Sequence, residues 1–182
     1  LSGAAKLLRD RRKHLHGRVL FMFQPGEEGY AGAQSMLDDG LLSMAGPVTK
    51  AFAIHVMTVA PTGFIALKTG PLMASSDTFR IIVKGRGGHA SAPHAALDPI
   101  PTACEIVLAL QTMITRRIDA FDPGVVTVGS LHAGTTSNVI PPSAEIFGTC
   151  RAVSERTRKK IHDGIKRVAE GIAAAHEGTV EV

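Results

Sequence analysis

The feature that most constrains this chain is the order of hydrophobic patterns after Ser76. Phe79, Ile81 and Val83 alternate with Thr78, Arg80 and Lys84, which predicts a strand with one apolar and one polar face. A glycine-rich turn, residues 85–88, ends it. Asp98 and Pro99 then open a helical pattern in which Ile100, Ala103, Val107, Leu110 and Ile114 recur at intervals of three and four. That helix is expected to close near Arg116 and Arg117, where positive charge suits the dipole. Residues 125–131 read as a strand, and residues 143–153 as another with Ala144, Ile146 and Cys150 on one face. Ser154 can cap a second helix striped by Ile161, Ile165, Val168, Ile172 and Ala175; Gly178 stops it and Thr179 begins a fourth strand. The resulting order, β-α-β-β-α-β, is the split βαβ arrangement of ferredoxin-like domains. Both helices cover one face of such a sheet, so the other face and the edge strands invite self-association.

The first part of the chain follows a different grammar. Residues 3–16 are helical in pattern, with Ala4, Leu7, Leu8 and Leu15 toward one side and Gly17 as a stop. The run 18–23, bounded by Gly17 and Pro25, is short, hydrophobic after Arg18 and β-prone, which predicts a strand buried on both faces. A short helix over 31–37 closed by Gly40, a second apolar strand over 51–56 and a further strand over 62–69 follow. Helices alternating with fully apolar strands predict a sheet covered on both sides. The small-residue stretch 70–76 is the expected boundary, giving an α/β part at 1–72 and a ferredoxin-like domain at 73–182.

Composition narrows the classes. A chain of 182 residues supports one domain or two small ones. No apolar run approaches the ~20 residues of a membrane helix, so no membrane partner is expected. Cys104 and Cys150 lie inside predicted elements and not in a disulfide frame, which points to a reducing cytoplasm. The net charge of +4 comes from basic runs at 9–13 and 156–160, each on or beside a helix. With no aromatic residues interleaved to stack bases, these read as solvated helix faces, and no nucleic acid is expected. The chain opens at Leu1 within a helical pattern, so a segment upstream is expected.

Candidate chemistry begins where the run 18–23 stops. Gln24-Pro25-Gly26-Glu27-Glu28-Gly29 presents two adjacent carboxylates just past a strand end, where ligands collect in open α/β sheets. In extended chain Glu27 and Glu28 point in different directions, so one can hold a metal while the other faces water. A solvated acidic turn is the alternative. His55, near the end of an apolar strand, is a candidate ligand or else a core histidine bonded to backbone. Two ligands fall short of the three that catalytic zinc-type sites use, and His14 and His16 lie at a basic helix end, as surface histidines do. The glycines of 85–88 match neither the dinucleotide fingerprint nor a Walker loop, which removes a nucleotide site. They leave a turn carrying His89, a possible donor to a developing oxyanion. Asn138, in a loop, and Arg151, ending the following strand, are candidates to bind an amide oxygen and a carboxylate.

Taken together, 23–29 (FQPGEEG), 53–56 (AIHV), 87–94 (GGHASAPH) and 138–141 (NVIP), in this order and at these separations, resemble the metal-dependent aminoacylase and carboxypeptidase family. The similarity is to its amidohydrolase branch, which includes hippurate hydrolase and auxin-conjugate hydrolases, and it runs over essentially the whole chain. The resemblance implies a metal-binding α/β catalytic domain, present in part at 1–72, and a ferredoxin-like lid at 73–182 through which the subunits form a homodimer. It implies Glu27 as the general base that activates water, Glu28 and His55 as ligands to one or two divalent ions, and His89 as the lid histidine that polarises the scissile carbonyl in the partner subunit's site. Asn138 and Arg151 resemble lid residues that bind substrate. The ions implied are zinc or manganese, with cobalt or nickel also compatible with the branch, and the substrate implied is a small N-acyl amino acid. A Cys-Gly-His-Asp type motif that precedes this region in the branch is absent, as is a last ligand histidine that follows the lid. An internal piece of a longer enzyme is therefore expected. The competing expectation is a non-catalytic dimerisation or ligand-binding fragment without a complete metal site.

Overall fold

The computed structural model describes residues 1–182, which divide into two compact units, Leu1–Phe64 and Ile65–Val182.

The first unit holds three short helices: α1 (Ser2–Asp10), α2 (Gly32–Asp38) and α3 (Leu41–Ala45). Its only buried residues are Gly32 and Ala45. The helix expected over 3–16 ends at Asp10 and continues only as a single 3-10 turn, Arg12–His14. None of its residues is buried, and a short helix without a packed face has little to propagate it. The helix α3 was not expected from the pattern.

The apolar strands expected over 18–23, 51–56 and 62–69 are not formed. Nor are these runs buried: Phe52 is 89% and Ile54 93% exposed, and Phe23 is exposed as well. The reason is that a strand exists through its ladder, and no segment of this unit pairs with any of the three runs. The run 18–23 is instead tied to α3 through the Arg18 guanidinium, which donates to the carbonyl of Ala45.

The second unit matches the β-α-β-β-α-β expectation. Its elements are β1 (Asp77–Lys84), β2 (Gly88–His89), α4 (Pro99–Arg117), β3 (Gly124–Ala133), β4 (Val139–Ile140), β5 (Ser143–Ala152), α5 (Glu155–Ala175) and β6 (Thr179–Glu181). Four of the strands form an antiparallel sheet in the order β3-β5-β1-β6, and β2 with β4 forms a separate two-residue ladder. Both long helices start on side-chain caps: the Asp98 carboxylate accepts from the Ile100 amide, and the Ser154 hydroxyl from the Thr157 amide. Their apolar stripes pack on one face of the sheet. Ile106 and Leu110 from α4, Ile161 and Ile165 from α5, Ile81 and Val83 from β1, and Ile146 from β5 make a closed core.

Close packing explains a strand glycine. A Cβ on Gly148 would sit 2.2 Å from the Phe79 ring, so β5 can pass under that ring only without a side chain there. The opposite face of the sheet is open and mixed, with Thr78, Arg80 and Glu145 beside Ile82 and Phe147. There Arg80 pairs with Glu145 and stands 5.5 Å from the centre of the Phe147 ring.

Candidate active site

In the first unit the backbone turns sharply after Pro25. Gly26 (φ 52°) and Gly29 (φ 84°) both adopt left-handed conformations, and the Gly29 amide donates to the Glu27 carbonyl at 3.0 Å. Glu27 and Glu28 are thereby held on an exposed turn between two glycines; since no strand forms over 18–23, this is the solvated acidic turn and not the strand end expected. His55 is exposed, with its Nδ1 2.8 Å from the carbonyl of Val56. An Nδ1–H donated to that carbonyl leaves Nε2 free, which is the arrangement a ligating histidine uses.

Carboxylate and imidazole suit a divalent ion of the zinc or manganese type. The number of donors does not. Nowhere in the first unit do three His, Cys, Asp or Glu donor atoms lie within 4.8 Å of one another. Neither Glu28 nor His55 belongs to a three-donor group in this chain.

The one such group in the chain is in the second unit: Asp77, Cys150 and His162. Its chemistry is that of an ion pair. Both Asp77 oxygens accept from the Arg158 guanidinium at 2.5 to 3.1 Å, and one accepts from Ser75 Oγ at 3.1 Å. The Arg158 hydrogen bond holds the Asp77 carboxyl below the usual carboxylate range, while burial pushes the Cys150 thiol up. A cation would have to displace the guanidinium and bind a cysteine whose thiol burial keeps protonated. We read the group as a tie between β1 and α5.

The second unit brings His89 and Asn138 together. The two-residue ladder sets His89 opposite Val139, and the Ala90 amide donates to the Asn138 carbonyl at 3.1 Å. Both side chains are exposed. Nδ1 of His89 lies 2.8 Å from Ser91 Oγ and accepts from the Ser91 amide at 3.3 Å. Thr136 Oγ1 donates to Asn138 Oδ1 at 3.1 Å, which engages the amide oxygen and leaves the nitrogen as a donor.

Arg151 is elsewhere. It pairs with Val125 near the far end of β5, whereas the His89 turn adjoins the end where Lys84 pairs with Ser143. The eight residue steps between Ser143 and Arg151 span roughly 27 Å of strand. Within one chain Arg151 therefore does not share a site with His89 and Asn138, because the strand that separates them runs the length of the sheet. Sequence reasoning left Ser91 and Thr136 without a role. The only signal for them was a hydroxyl two positions from the functional side chain in each loop.

Against known protein families, residues 74–177 match the model described as the peptidase dimerisation domain, more than half of the chain. The chain belongs to the peptidase dimerisation domain family. The match covers every strand and both long helices of the second unit except β6. This family member is also 43% identical over 179 residues to N-acetylcysteine deacetylase of Bacillus subtilis (strain 168), covering 98% of this chain and 46% of the relative. Among solved structures it is similar to a putative aminohydrolase from methicillin-resistant Staphylococcus aureus, with TM-score 0.88, 34% identity, and coverage of 97% of this chain and 47% of that one. It is similar also to the Bacillus subtilis YXEP protein, described as a dinuclear metal binding peptidase from the M20 family. There the TM-score is 0.76 at 39% identity, covering 98% of this chain and 44% of the other. The dimerisation-domain chain thus spans about half the length of the relatives it matches.

Proposed function

We propose that this chain is the central part of a homodimeric, metal-dependent amidohydrolase that cleaves the amide bond of small N-acyl amino acids. The observation that carries the reading is similarity to an N-acetylcysteine deacetylase along 98% of the chain, the exposed glutamate turn included. Glu28 and His55 would hold the ion, with further ligands from outside these residues. Such an ion, when bound, polarises the amide carbonyl and lowers the pKa of water.

The chain's own residues do the rest. Glu27, on its glycine-bounded turn, takes a proton from the attacking water and returns it to the leaving amine. His89 of a second copy donates a hydrogen bond to the oxygen on which charge develops. Asn138, its amide oxygen engaged by Thr136, offers its nitrogen as a second donor for substrate. Arg151 would serve a carboxylate only from the other subunit, since its own sheet holds it far from His89.

The test is a Glu27→Gln substitution in the enzyme that carries this chain, with metal content and turnover of an N-acyl amino acid measured on the same sample. Metal content is expected to hold while turnover falls by about 10²- to 10⁴-fold. Turnover within a few-fold of the parent protein would remove Glu27 from the mechanism. A second reading, a non-catalytic dimerisation or ligand-binding module, is favoured by one observation, that no three metal donors of the first unit lie together. It predicts that no N-acyl amino acid is hydrolysed even with metal in excess.

A further inference from the structure

We infer that Ser91 is a positioning residue that fixes the proton of His89 on Nε2, so that the ring presents an N–H outward. This rests on the reading of His89 as an oxyanion donor and adds to it the residue that makes a neutral imidazole fit for the task.

A neutral imidazole carries one proton, and its neighbours decide where. A hydroxyl beside a ring nitrogen leaves the choice open, because it can donate or accept. A backbone N–H can only donate. The Ser91 amide, at a long 3.3 Å, biases Nδ1 toward accepting, and the Ser91 hydroxyl at 2.8 Å, led by it to donate to the same nitrogen, supplies the stronger hold. Both donors act on one side of the ring, and the proton is left to Nε2.

The backbone keeps Ser91 in place. The Ala90 amide is held by the Asn138 carbonyl, and the Ala92 amide donates to the His89 carbonyl at 2.9 Å. These two bonds bracket Ser91 in a closed turn whose side chain curls back onto the ring. The opposite tautomer would set an Nδ1–H against the Ser91 N–H and point a lone pair at the substrate oxygen, which repels developing negative charge.

Nitrogen-15 spectra of the histidine rings in the labelled 182-residue chain read this directly, at a pH well above the ordinary imidazole value of about 6.5. In the parent chain, Nδ1 of His89 is expected at the unprotonated position and Nε2 at the protonated one. Ser91→Ala keeps the amide and loses the hydroxyl, so the two signals should move toward each other as the tautomers mix, and Ser91→Thr should restore the parent pattern. A parent chain with the proton on Nδ1 overturns the proposal, as does a Ser91→Ala spectrum identical to the parent's. The measurement involves neither metal nor turnover. If the tautomer is as assigned and His89→Ala leaves turnover of the enzyme intact, the functional reading fails and the positioning role stands. If His89→Ala abolishes turnover and the tautomer ignores Ser91, the failure is the other way round.

Discussion

Asp77 concentrates more polar contacts than any proposed site residue, and none of them is for chemistry. Its carboxylate, 15% exposed, is held by Arg158 and Ser75, with Nε2 of His162 at 3.6 Å. The hydrogen bond from Arg158 lowers its folded-state pKa, so between the folded and unfolded values the unfolded chain binds more protons. The stability from Asp77 is therefore complete above the unfolded value of about 4 and lost as pH falls through the lower folded value. Asp122 adds to the same trend, its pKa lowered by Ser154, Arg156 and Thr157. Thermal unfolding followed from pH 7 to pH 3 should show a steep acid decline, and Asp77→Asn should flatten it. At pH 7 the substitution is expected to cost no more than about 1 kcal/mol, because Arg158 is 37% exposed and water screens the pair. A pH profile unchanged by the substitution would contradict this account. The pair was not legible in the sequence, since nothing local connects Asp77 with Arg158, 81 positions away. The turn that carries Glu27 and Glu28 was legible, because its flanking glycines lie within a few residues of each other.

At the scale of elements, the second unit was readable and the first was not, for one physical reason. Alternation in β1 and β5 states which residues face the core and which face water, and the helices that cover that face lie in the same stretch of chain. Ile81, Val83, Ala144, Ile146 and Cys150 are accordingly all buried. The mostly apolar runs at 18–23 and 51–56 state only that they suit an apolar surrounding, not which strands would provide it. Even in the second unit, the two-residue ladder of β2 and β4 and the register shift between Val128 and Ser130 left no pattern to read. The β5 strand bears the core most directly. Ile146→Ala should destabilise the second unit by ~2 to 5 kcal/mol, and Gly148→Ala by ~1 to 3 kcal/mol through its clash with Phe79, both measured by urea unfolding. A Gly148→Ala protein as stable as the parent would mean that the ring moves aside freely.

For the whole molecule, the four-stranded sheet has two unlike edges. β6 offers three residues, while β3 offers ten along its outer side. A long outer strand is a ready template for pairing with a second copy, in keeping with the dimer proposed above. Sedimentation equilibrium should then give twice the 19.1 kDa chain mass, and a single-chain mass at micromolar concentration would oppose a dimer held by this unit alone. The position of β6 has a separate consequence. The sheet's second strand from that edge, β1, completes its pairing only with Thr179–Glu181, and the Lys84–Glu181 bridge joins residues 97 apart. On the ribosome, then, β1 waits with one side bare until both long helices have been made. Closure of this sheet comes late in synthesis, and a pause in translation between Lys84 and Thr179 would prolong the interval in which β1 is open to wrong partners.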